Sequence, residues 1–370
     1  MVKKMKKGES SRSSNSEDEI NKSNELPLSL LPHLMGFMNT KNAVETCVLS
    51  KDWKDLWKYV TTLSLDSSQF IRLDKYFHFV SSFLSNRDHS IPLLNLDIMV
   101  RDLSEFQLLN WIMQYVLFHN SNVQHLRMDI IMHSLSVCIS FHPLISSFSS
   151  LKYLRLSISP SGPDLKLPNT LPLPALKTFH LENICFTASD NDTAEPFSSC
   201  GMLNTLTLDS CYLDNGAKVL SISSSTLSTL NLDYSFKQNR YKIVLSTPNL
   251  SSFTAAHFGC HQLSSVCHLP FLQRVNIDAG WAHLTPSPII NWLIELYNMK
   301  RMIISSRTLQ SFLQDPDSEG AQTQPPYFVR LESVMVVMNS WIDISNVEVK
   351  KMLKYLLQNS PPNKVIVIKR

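Results

Sequence analysis

The segment CHQLSSVCH, at residues 260–268, concentrates the side chains of this sequence that could bind a metal ion. It holds Cys260, His261, Cys267 and His268, and thiolates and imidazoles are the ligands that zinc prefers. Adjacent Cys-His pairs at this separation do not match common zinc sites, and the sequence has no C-x-x-C pair. We therefore interpret the segment as two unrelated Cys-His pairs on a loop or helix, and we predict no metal site and no cofactor.

Motifs of catalysis and nucleotide binding are also missing from the sequence. The chain contains 8 glycines and none of the patterns G-x-x-x-x-G-K, G-x-G-x-x-G, G-x-S-x-G or H-E-x-x-H. These patterns supply phosphate loops, nucleophiles or metal ligands in many enzymes. No cysteine lies in a supporting histidine or aspartate motif, and free cysteines are usually buried. We therefore predict that the chain is not an enzyme.

The composition narrows the remaining classes of protein. A net charge of +3 over 370 residues gives no electrostatic support for binding nucleic acid or a membrane surface. The N-terminus does not resemble a secretory signal, and no run of 18 apolar residues could span a membrane. An odd number of scattered cysteines indicates reduced thiols, so we expect the protein in the cytoplasm and/or the nucleus. The 7 cysteines are at positions 47, 138, 185, 200, 211, 260 and 267.

A leucine pattern recurs along most of the chain and must position any site. Copies of L-x-x-L-x-L, with other apolar residues tolerated, begin 22 to 28 residues apart, which is a spacing typical of leucine-rich repeats. The first anchors of the clearer copies are Val123, Leu151, Leu176, Leu203, Leu227, Leu250 and Leu272. Weaker copies begin at Leu93, Met299 and Leu331.

This pattern predicts an α/β solenoid. The last two anchors of a copy alternate onto one side of a short strand, and a single copy buries too little apolar surface to order itself. Stacked copies cover each other, which gives a curved parallel sheet with helices or loops outside. Uneven spacing and proline-rich inserts such as LPNTLPLPAL predict an irregular solenoid.

Two columns of residues are expected on the concave face of this sheet. The position after the last anchor is mostly acidic, whereas the position between the strand anchors changes from basic to neutral along the chain. One interpretation is a recognition surface that meets a basic segment of a client protein. The other is that Asp and Asn end strands and form turns there, which turn chemistry alone predicts. The residues of the possible client surface are Arg127, Asp129, Arg155, His180, Glu182, Asp209, Asn231, Asp233, Asn276 and Asp278.

The N-terminal part has a different organisation. Residues 1–24 are polar and mixed in charge, which predicts a disordered tail. Apolar residues then recur at helical spacing up to about Val60 and predict three short helices, with Thr40 and Ser50 as the N-caps of the second and third. A segment of this size without disulfides or metal must dock on the rest of the chain or on another protein.

The stretch LPLSLLPHLMGFMNTKNAVETCVLSKDWKDLW resembles an F-box, the three-helix module that binds the Skp-type adaptor of cullin-based ubiquitin ligases. The match is most specific at its end, VLSK-x-W-x-x-LW, and Leu28, Pro32 and Gly36 depart from the usual pattern. The resemblance implies an adaptor-binding set of Leu26, Pro27, Leu30, Leu34, Val44, Val48, Leu49, Trp53 and Trp57.

The C-terminal part resembles the FBD segment of plant F-box proteins with degenerate leucine-rich repeats. The resembling stretches are PPYFVRLESVMVVMNSW and VKKMLKYLLQNSPPNKVIVIK, which predict a strand, a helix at about 347–359 and a final strand. The expected organisation is a tail at 1–24, an F-box at 25–62, linker helices with a first degenerate repeat at 63–122, repeats at 123–320 and an FBD-like cap at 321–370.

These resemblances imply the substrate-recognition subunit of a cullin-type (SCF) E3 ubiquitin ligase. The implied partners are a Skp-type adaptor, cullin through that adaptor, and an unknown client protein that the repeats bind for ubiquitination; neither nucleic acid nor membrane is expected. The alternative is a leucine-rich-repeat scaffold or ligand receptor outside ubiquitination, in which the N-terminal helices only cap the solenoid.

Overall fold

The computed structural model describes most of the chain between Leu30 and Lys369. The described residues are 30, 34–49, 51–101, 103–119, 122–131, 145–162, 164–188, 192–214, 216–234, 240–257, 261–278, 286–311, 325–338, 345–362 and 364–369. The predicted tail at 1–24, together with Leu26 and Pro27 of the adaptor-binding set, lies outside these residues.

A parallel sheet extends along the described chain and contains twelve strands there. Buried and half-buried residues alternate along most of these strands, because successive side chains point to opposite faces of a sheet. In sheet order the strands are β1 (Thr62–Asp66), β2 (Asn95–Val100), β3 (His125–Ile130), β4 (Tyr153–Ile158), β6 (Thr178–Glu182), β9 (Thr205–Asp209), β12 (Thr229–Asp233), β14 (Ser252–Ala256), β16 (Arg274–Asp278), β17 (Arg301–Ser305), β18 (Ser333–Val337) and β19 (Val365–Lys369).

This sheet confirms the predicted repeats and the α/β class. Each predicted first anchor lies two residues before a strand of the sheet, as Leu151 does before β4 and Leu272 does before β16. The first anchors are buried and form one core with the strand leucines, including the weaker anchors Leu93, Met299 and Leu331. The helix and final strand predicted near the C-terminus are also present.

The segments that link the strands of the main sheet differ along the chain. The described helices are α1 (Thr40–Glu45), α2 (Leu73–Asn86), α3 (Leu103–His119), α4 (Pro286–Glu295), α5 (Ser306–Ser311) and α6 (Asn346–Leu356). In the middle of the chain the linking segments contain short strands, where helices or loops were predicted. These are β5 (Lys166–Leu167), β7 (Cys185–Phe186), β8 (Thr193–Ala194), β10 (Tyr212–Leu213), β11 (Val219–Ser223), β13 (Lys242–Ser246) and β15 (Gln262–Ser265).

These additional strands form two small sheets, one of β5, β7 and β10 and one of β8, β11, β13 and β15. The sequence of β11, VLSIS, explains the difference from the prediction, because its apolar residues alternate with a period of two. By contrast, α2 buries Tyr76, Val80, Phe83 and Leu84, which recur at helical spacing.

The described N-terminal segment departs from the predicted three α-helices. Asn39, not Thr40, is the N-cap of α1, since its side chain accepts a hydrogen bond from the N–H of Asn42. The predicted third helix is replaced by 3₁₀ turns at Lys51–Trp53 and Leu56–Tyr59. Segments this short gain little from α-helical hydrogen bonding, and 3₁₀ geometry is common in such pieces.

Candidate protein-interaction surfaces

Large apolar side chains are exposed in the first part of the N-terminal segment, before residue 50. Phe37 is 85% exposed, Val48 is 83% exposed and Leu49 is 66% exposed, and Leu30 and Leu34 are also open to solvent. We call these five residues the N-terminal apolar surface. Large exposed apolar patches mark sites where a partner binds, because their exposure to water is unfavourable.

The predicted adaptor-binding residues divide into two groups in the structure. Leu30, Leu34, Val48 and Leu49 belong to the N-terminal apolar surface, whereas Val44, Trp53 and Trp57 are half-buried and pack against the core of the repeats. The ring centroid of Trp57 lies 5.5 Å from that of Phe83 on α2. A role for these residues in adaptor binding stays a prediction. Phe37 was not in the predicted set, because its sequence position does not reveal its exposure.

Hydrogen bonds join the N-terminal segment to the first strand of the sheet. The hydroxyl of Thr40 accepts a 2.8 Å hydrogen bond from the N–H of Ser64 in β1, and the ammonium of Lys41 donates to the carbonyl of Gln69. The buried guanidinium of Arg87 donates to the carbonyls of Val60 at 3.0 Å and Ile91 at 2.6 Å.

The bond between Ser64 and Thr40 covers the β1 edge of the sheet, and the bonds of Arg87 join Val60, before β1, to Ile91, before β2. Desolvation lowers the pKa of Arg87 from its ordinary value, and its carbonyl partners compensate the buried charge. The segment that carries the N-terminal apolar surface is therefore bonded to the start of the sheet.

The two predicted columns form in-register rows across the sheet. The middle row connects neighbouring strands through pairs such as Arg127 with Arg155, and the end row through pairs such as Glu182 with Asp209. We call the face that carries both rows the polar face. The middle row contains Asp97, Arg127, Arg155, His180, Thr207, Asn231, Thr254 and Asn276, and the end row contains Asp129, Ser157, Glu182, Asp209, Asp233, Ala256 and Asp278.

Opposite charges neutralise each other on the polar face of β3, β4 and β6. Arg127 approaches Asp129 to 2.6 Å, and Arg155 approaches Asp129 to 3.5 Å and Glu182 to 3.1 Å. The hydrogen bond to Asp129 raises the pKa of Arg127. Burial, with Arg155 beside it, lowers the pKa of His180. Because these charged side chains pair with each other, they attract a charged partner less strongly than their number suggests.

The polar face becomes acidic at its centre. Glu182, Asp209 and Asp233 occupy register-matched positions on three neighbouring strands. Burial raises the pKa of Asp209, and the charges of Asp233 and Glu182 raise it further. Two of these carboxylates have cationic or titratable neighbours, since Glu182 contacts Arg155 and Asp233 contacts the ring of His257 at 3.0 Å. A basic segment of a partner would reduce the repulsion at Asp209.

The turn after the end row uses main-chain bonds. Ser210 and His257 adopt positive φ values of 50° and 52° directly after the ends of β9 and β14. Their N–H groups donate to the carbonyls of Asp233 and Asp278 on the next strand. These bonds form between main-chain atoms, so they do not by themselves require a carboxylate at the end row.

The histidines of the predicted Cys-His segment have separate environments. His261 is buried, its ring lies 4.3 Å from the rings of both Tyr234 and Tyr241, and its carbonyl accepts a 2.9 Å bond from the indole N–H of Trp292. Burial lowers the pKa of His261 to about 4. His268 is exposed, and Cys260 lies outside the described residues.

Neither a metal cluster nor a membrane helix is found among the residues described. No group of three or more possible metal ligands occurs there. Within the same residues, every helix is too short or too polar to cross a bilayer.

Comparison with known proteins identifies relatives in Arabidopsis thaliana. One relative, an F-box/FBD/LRR-repeat protein, is 30% identical to this chain over 249 residues. These residues are 65% of this chain and 51% of that protein. An FBD-associated F-box protein is 29% identical over 303 residues, 77% of this chain and 64% of the relative. An F-box/FBD/LRR-repeat protein is 27% identical over 312 residues, 80% of this chain and 66% of the relative. The chain thus spans about half to two thirds of the length of these curated relatives. No protein-family model matches the chain.

Proposed function

We infer that the chain is a member of the plant family of F-box/FBD/LRR-repeat proteins, to which its relatives in Arabidopsis thaliana belong, and we propose that it is the substrate-recognition subunit of an SCF-type ubiquitin ligase. The N-terminal apolar surface binds a Skp-type adaptor, and cullin joins through that adaptor. The polar face binds a client protein. The chain itself performs no chemistry, and it acts in the cytoplasm and/or the nucleus.

The observation that carries the proposal is the exposure of Phe37, Val48 and Leu49 within the segment that resembles an F-box. These side chains are exposed while Met35 and Ala43 of the same segment are buried, so the segment has both an inner face that packs on the chain and an outer apolar face. An adaptor with an apolar groove would remove the outer face from water.

The proposed mechanism is one of proximity. Binding client and adaptor on one chain raises the effective concentration of a client lysine near the charged ubiquitin-conjugating enzyme. The bonds of Arg87 and Thr40 support this mechanism, because they join the N-terminal segment to the sheet that carries the polar face.

Adaptor capture tests the proposal. We expect the double variant Phe37→Ser/Val48→Asp to bind purified Skp-type adaptor at least about tenfold more weakly than wild type, since it removes exposed apolar anchors. The matched control is Ile71→Asp, which makes the same kind of change at a fully exposed residue outside the N-terminal apolar surface. Equal capture by wild type, the double variant and the control would show that this surface is not the adaptor site.

The alternative function is a scaffold or ligand receptor outside ubiquitination. It draws on the hydrogen bond from Ser64 to Thr40 and on the packing of Trp57 on Phe83, contacts by which the N-terminal segment would cap the solenoid. This alternative predicts that wild type does not bind the adaptor at all, although its melting curve shows a folded protein.

Client binding is tested on the acidic centre of the polar face. Proteins close to the chain are labelled in cells in the presence of a proteasome inhibitor. We expect Asp209→Lys/Asp233→Lys to lose basic clients, and Asp74→Lys, an exposed position on α2, to keep them. The same set of labelled proteins for all three chains would favour the turn interpretation of the end row.

A further inference from the structure

The last strand of the main sheet has one neighbour in the part of the chain that the structure describes. β19 pairs in parallel with β18, from Val365 beside Ser333 to Lys369 beside Val337. Val365, Ile366 and Val367 are all exposed, although their types favour burial. An exposed apolar edge strand is a template for another strand.

The direction of the main-chain bonds identifies the groups at this edge. The N–H of Val365 donates to the carbonyl of Glu332 at 3.0 Å, and the carbonyl of Lys369 accepts from Met338 at 2.8 Å. Successive residues of a strand point their N–H and C=O groups to opposite edges. The N–H and C=O groups of Ile366 and Ile368 therefore point away from β18.

The charges near β19 favour one kind of partner. Lys364 precedes the strand and Lys369 ends it, while the apolar residues lie between them. Among the described residues 325–338 and 364–369, Glu332 is the acidic residue, and its carboxylate lies 3.1 Å from Lys300. The half-buried ammonium of Lys364 donates to the carbonyl of Leu357, whereas Lys369 is exposed. An added strand therefore meets apolar side chains at its centre and the positive charge of Lys369 at one end.

We propose that β19 binds an extended segment of a partner protein by strand addition, and that this segment alternates apolar residues between acidic ends. The main-chain groups of Ile366 and Ile368 bond the segment, Val365 and Val367 contact its side chains on the polar face, and Lys369 pairs with an acidic end. This binding site is separate from the N-terminal apolar surface, so it stands whether or not that surface binds an adaptor.

The opposite edge of the sheet supports the assignment by contrast. At β1 the N–H of Ser64 donates to the hydroxyl of Thr40, and the N-terminal segment covers the edge. A strand added at β1 would have to displace this segment. Strand addition is therefore expected at β19 and not at β1.

A peptide titration on the full chain tests the proposal. The probe is a fluorescein-labelled peptide of sequence Glu-Glu-Val-Thr-Val-Thr-Val-Glu-Glu, and binding is measured by fluorescence anisotropy. Ile366→Pro removes an N–H that points outward and leaves the bonds to β18, so we expect about tenfold weaker binding. The matched control Ile366→Thr keeps the N–H, and we expect its affinity to stay within about twofold of wild type.

A charge variant and hydrogen exchange test the same proposal independently of the Ile366→Pro variant. Lys369→Glu should weaken binding of this acidic peptide, and the loss should shrink at high salt. Peptide addition should slow hydrogen exchange of the Ile366 and Ile368 amides in wild type, a measurement that decides the case even if Ile366→Pro does not fold.

Three results would overturn the proposal. The first is failure of wild type to bind the peptide, and the second is equal binding by wild type and a folded Ile366→Pro. The third is a dimer of the chain that Ile366→Pro dissociates, which would assign β19 to a second copy.

Discussion

The two edges of the main sheet differ in where their apolar surface lies. At β1 the N-terminal segment covers the edge strand, Thr40 occupies the N–H of Ser64, and the exposed apolar residues are on the segment itself, at Phe37 and Val48. At β19 the exposed apolar residues belong to the strand. The N-terminal segment thus presents side chains, whereas β19, which pairs only with β18 among the described residues, presents main-chain groups as well. In our two proposals, the first surface selects a partner by shape, and the second selects an extended segment.

Among the variants that test this comparison of the two edges, the largest loss in the free energy of unfolding is expected at Arg87. Replacing the buried guanidinium by an apolar side chain in Arg87→Met leaves the carbonyls of Val60 and Ile91 without their donor, so we expect a loss of about 3 kcal/mol in the free energy of unfolding. Chemical denaturation measures this loss. Arg72→Met is the control, because Arg72 is exposed and its ion pair with Asp74 contributes less than about 1 kcal/mol. Equal effects of the two variants would mean that Arg87 does not hold the N-terminal segment in place.

Acid should affect the two halves of the chain differently. The pKa of His261 is about 4 in the folded protein, below the value near 6.5 of an unfolded histidine. The unfolded chain therefore binds the proton more readily, and stability falls as the pH falls from about 6.5 to about 4. The expected loss is about 3 kcal/mol, and His180, whose pKa burial also lowers, adds a smaller effect of the same sign.

Hydrogen exchange locates this acid effect along the chain. Protection of the amides around Tyr241 and Trp292, which surround His261, should fall at pH 4.5 before that of β1. His261→Phe should remove most of the dependence between pH 6.5 and 4. A variant that keeps the full dependence would place its origin at other groups.

Thr40 gives a smaller and more local test of the covered edge. Thr40→Val keeps the shape of the side chain but leaves the N–H of Ser64 without its acceptor, so we expect a loss of about 1–2 kcal/mol in the free energy of unfolding. Thr40→Ser keeps the hydroxyl and should lose less. We also expect faster hydrogen exchange of the Ser64 amide in Thr40→Val. Unchanged exchange would show that Thr40 does not protect the β1 edge.

Most strands of the main sheet could be predicted from the sequence, because they follow the regular spacing of apolar residues. Leu151 and Leu272 could be assigned because anchors at a near-constant spacing must stack to be buried. The short strands of the middle region were not predicted, since an alternating run such as VLSIS is too short to outweigh the expectation of helices or loops.

The contacts of individual polar residues could not be predicted in the same way. The roles of Thr40 and Arg87 depend on carbonyls and amides brought near by the tertiary fold, and no spacing in the sequence encodes those distances. His261 was noticed only as a possible metal ligand, whereas its surroundings are the rings of Tyr234 and Tyr241, which lie far enough along the chain to escape a local pattern.

The smallest change in the free energy of unfolding is expected at the acidic centre of the polar face, which lies between the two edges. Variants there distinguish the two interpretations of the end row. Burial raises the pKa of Asp209 in the folded protein, so its ionised form is less favourable there than in the unfolded chain. Asp209→Asn should therefore raise the free energy of unfolding slightly, by about 0.5 kcal/mol after screening by solvent. Asp129→Asn should lower it by about 1 kcal/mol, since Asp129 contacts both Arg127 and Arg155.

Denaturation of both variants, compared with their capture of client proteins, distinguishes a recognition residue from a turn residue. If Asp209 is retained for recognition, Asp209→Asn is at least as stable as wild type and yet binds basic clients more weakly. If the residue serves the turn, Asp209→Asn keeps both stability and client capture, because Asn forms the same turns, whereas Asp209→Ala loses stability. The same two measurements distinguish the ion pairs that Arg127 and Arg155 form with carboxylates, whose charges neutralise each other, from the carboxylates that a partner can bind.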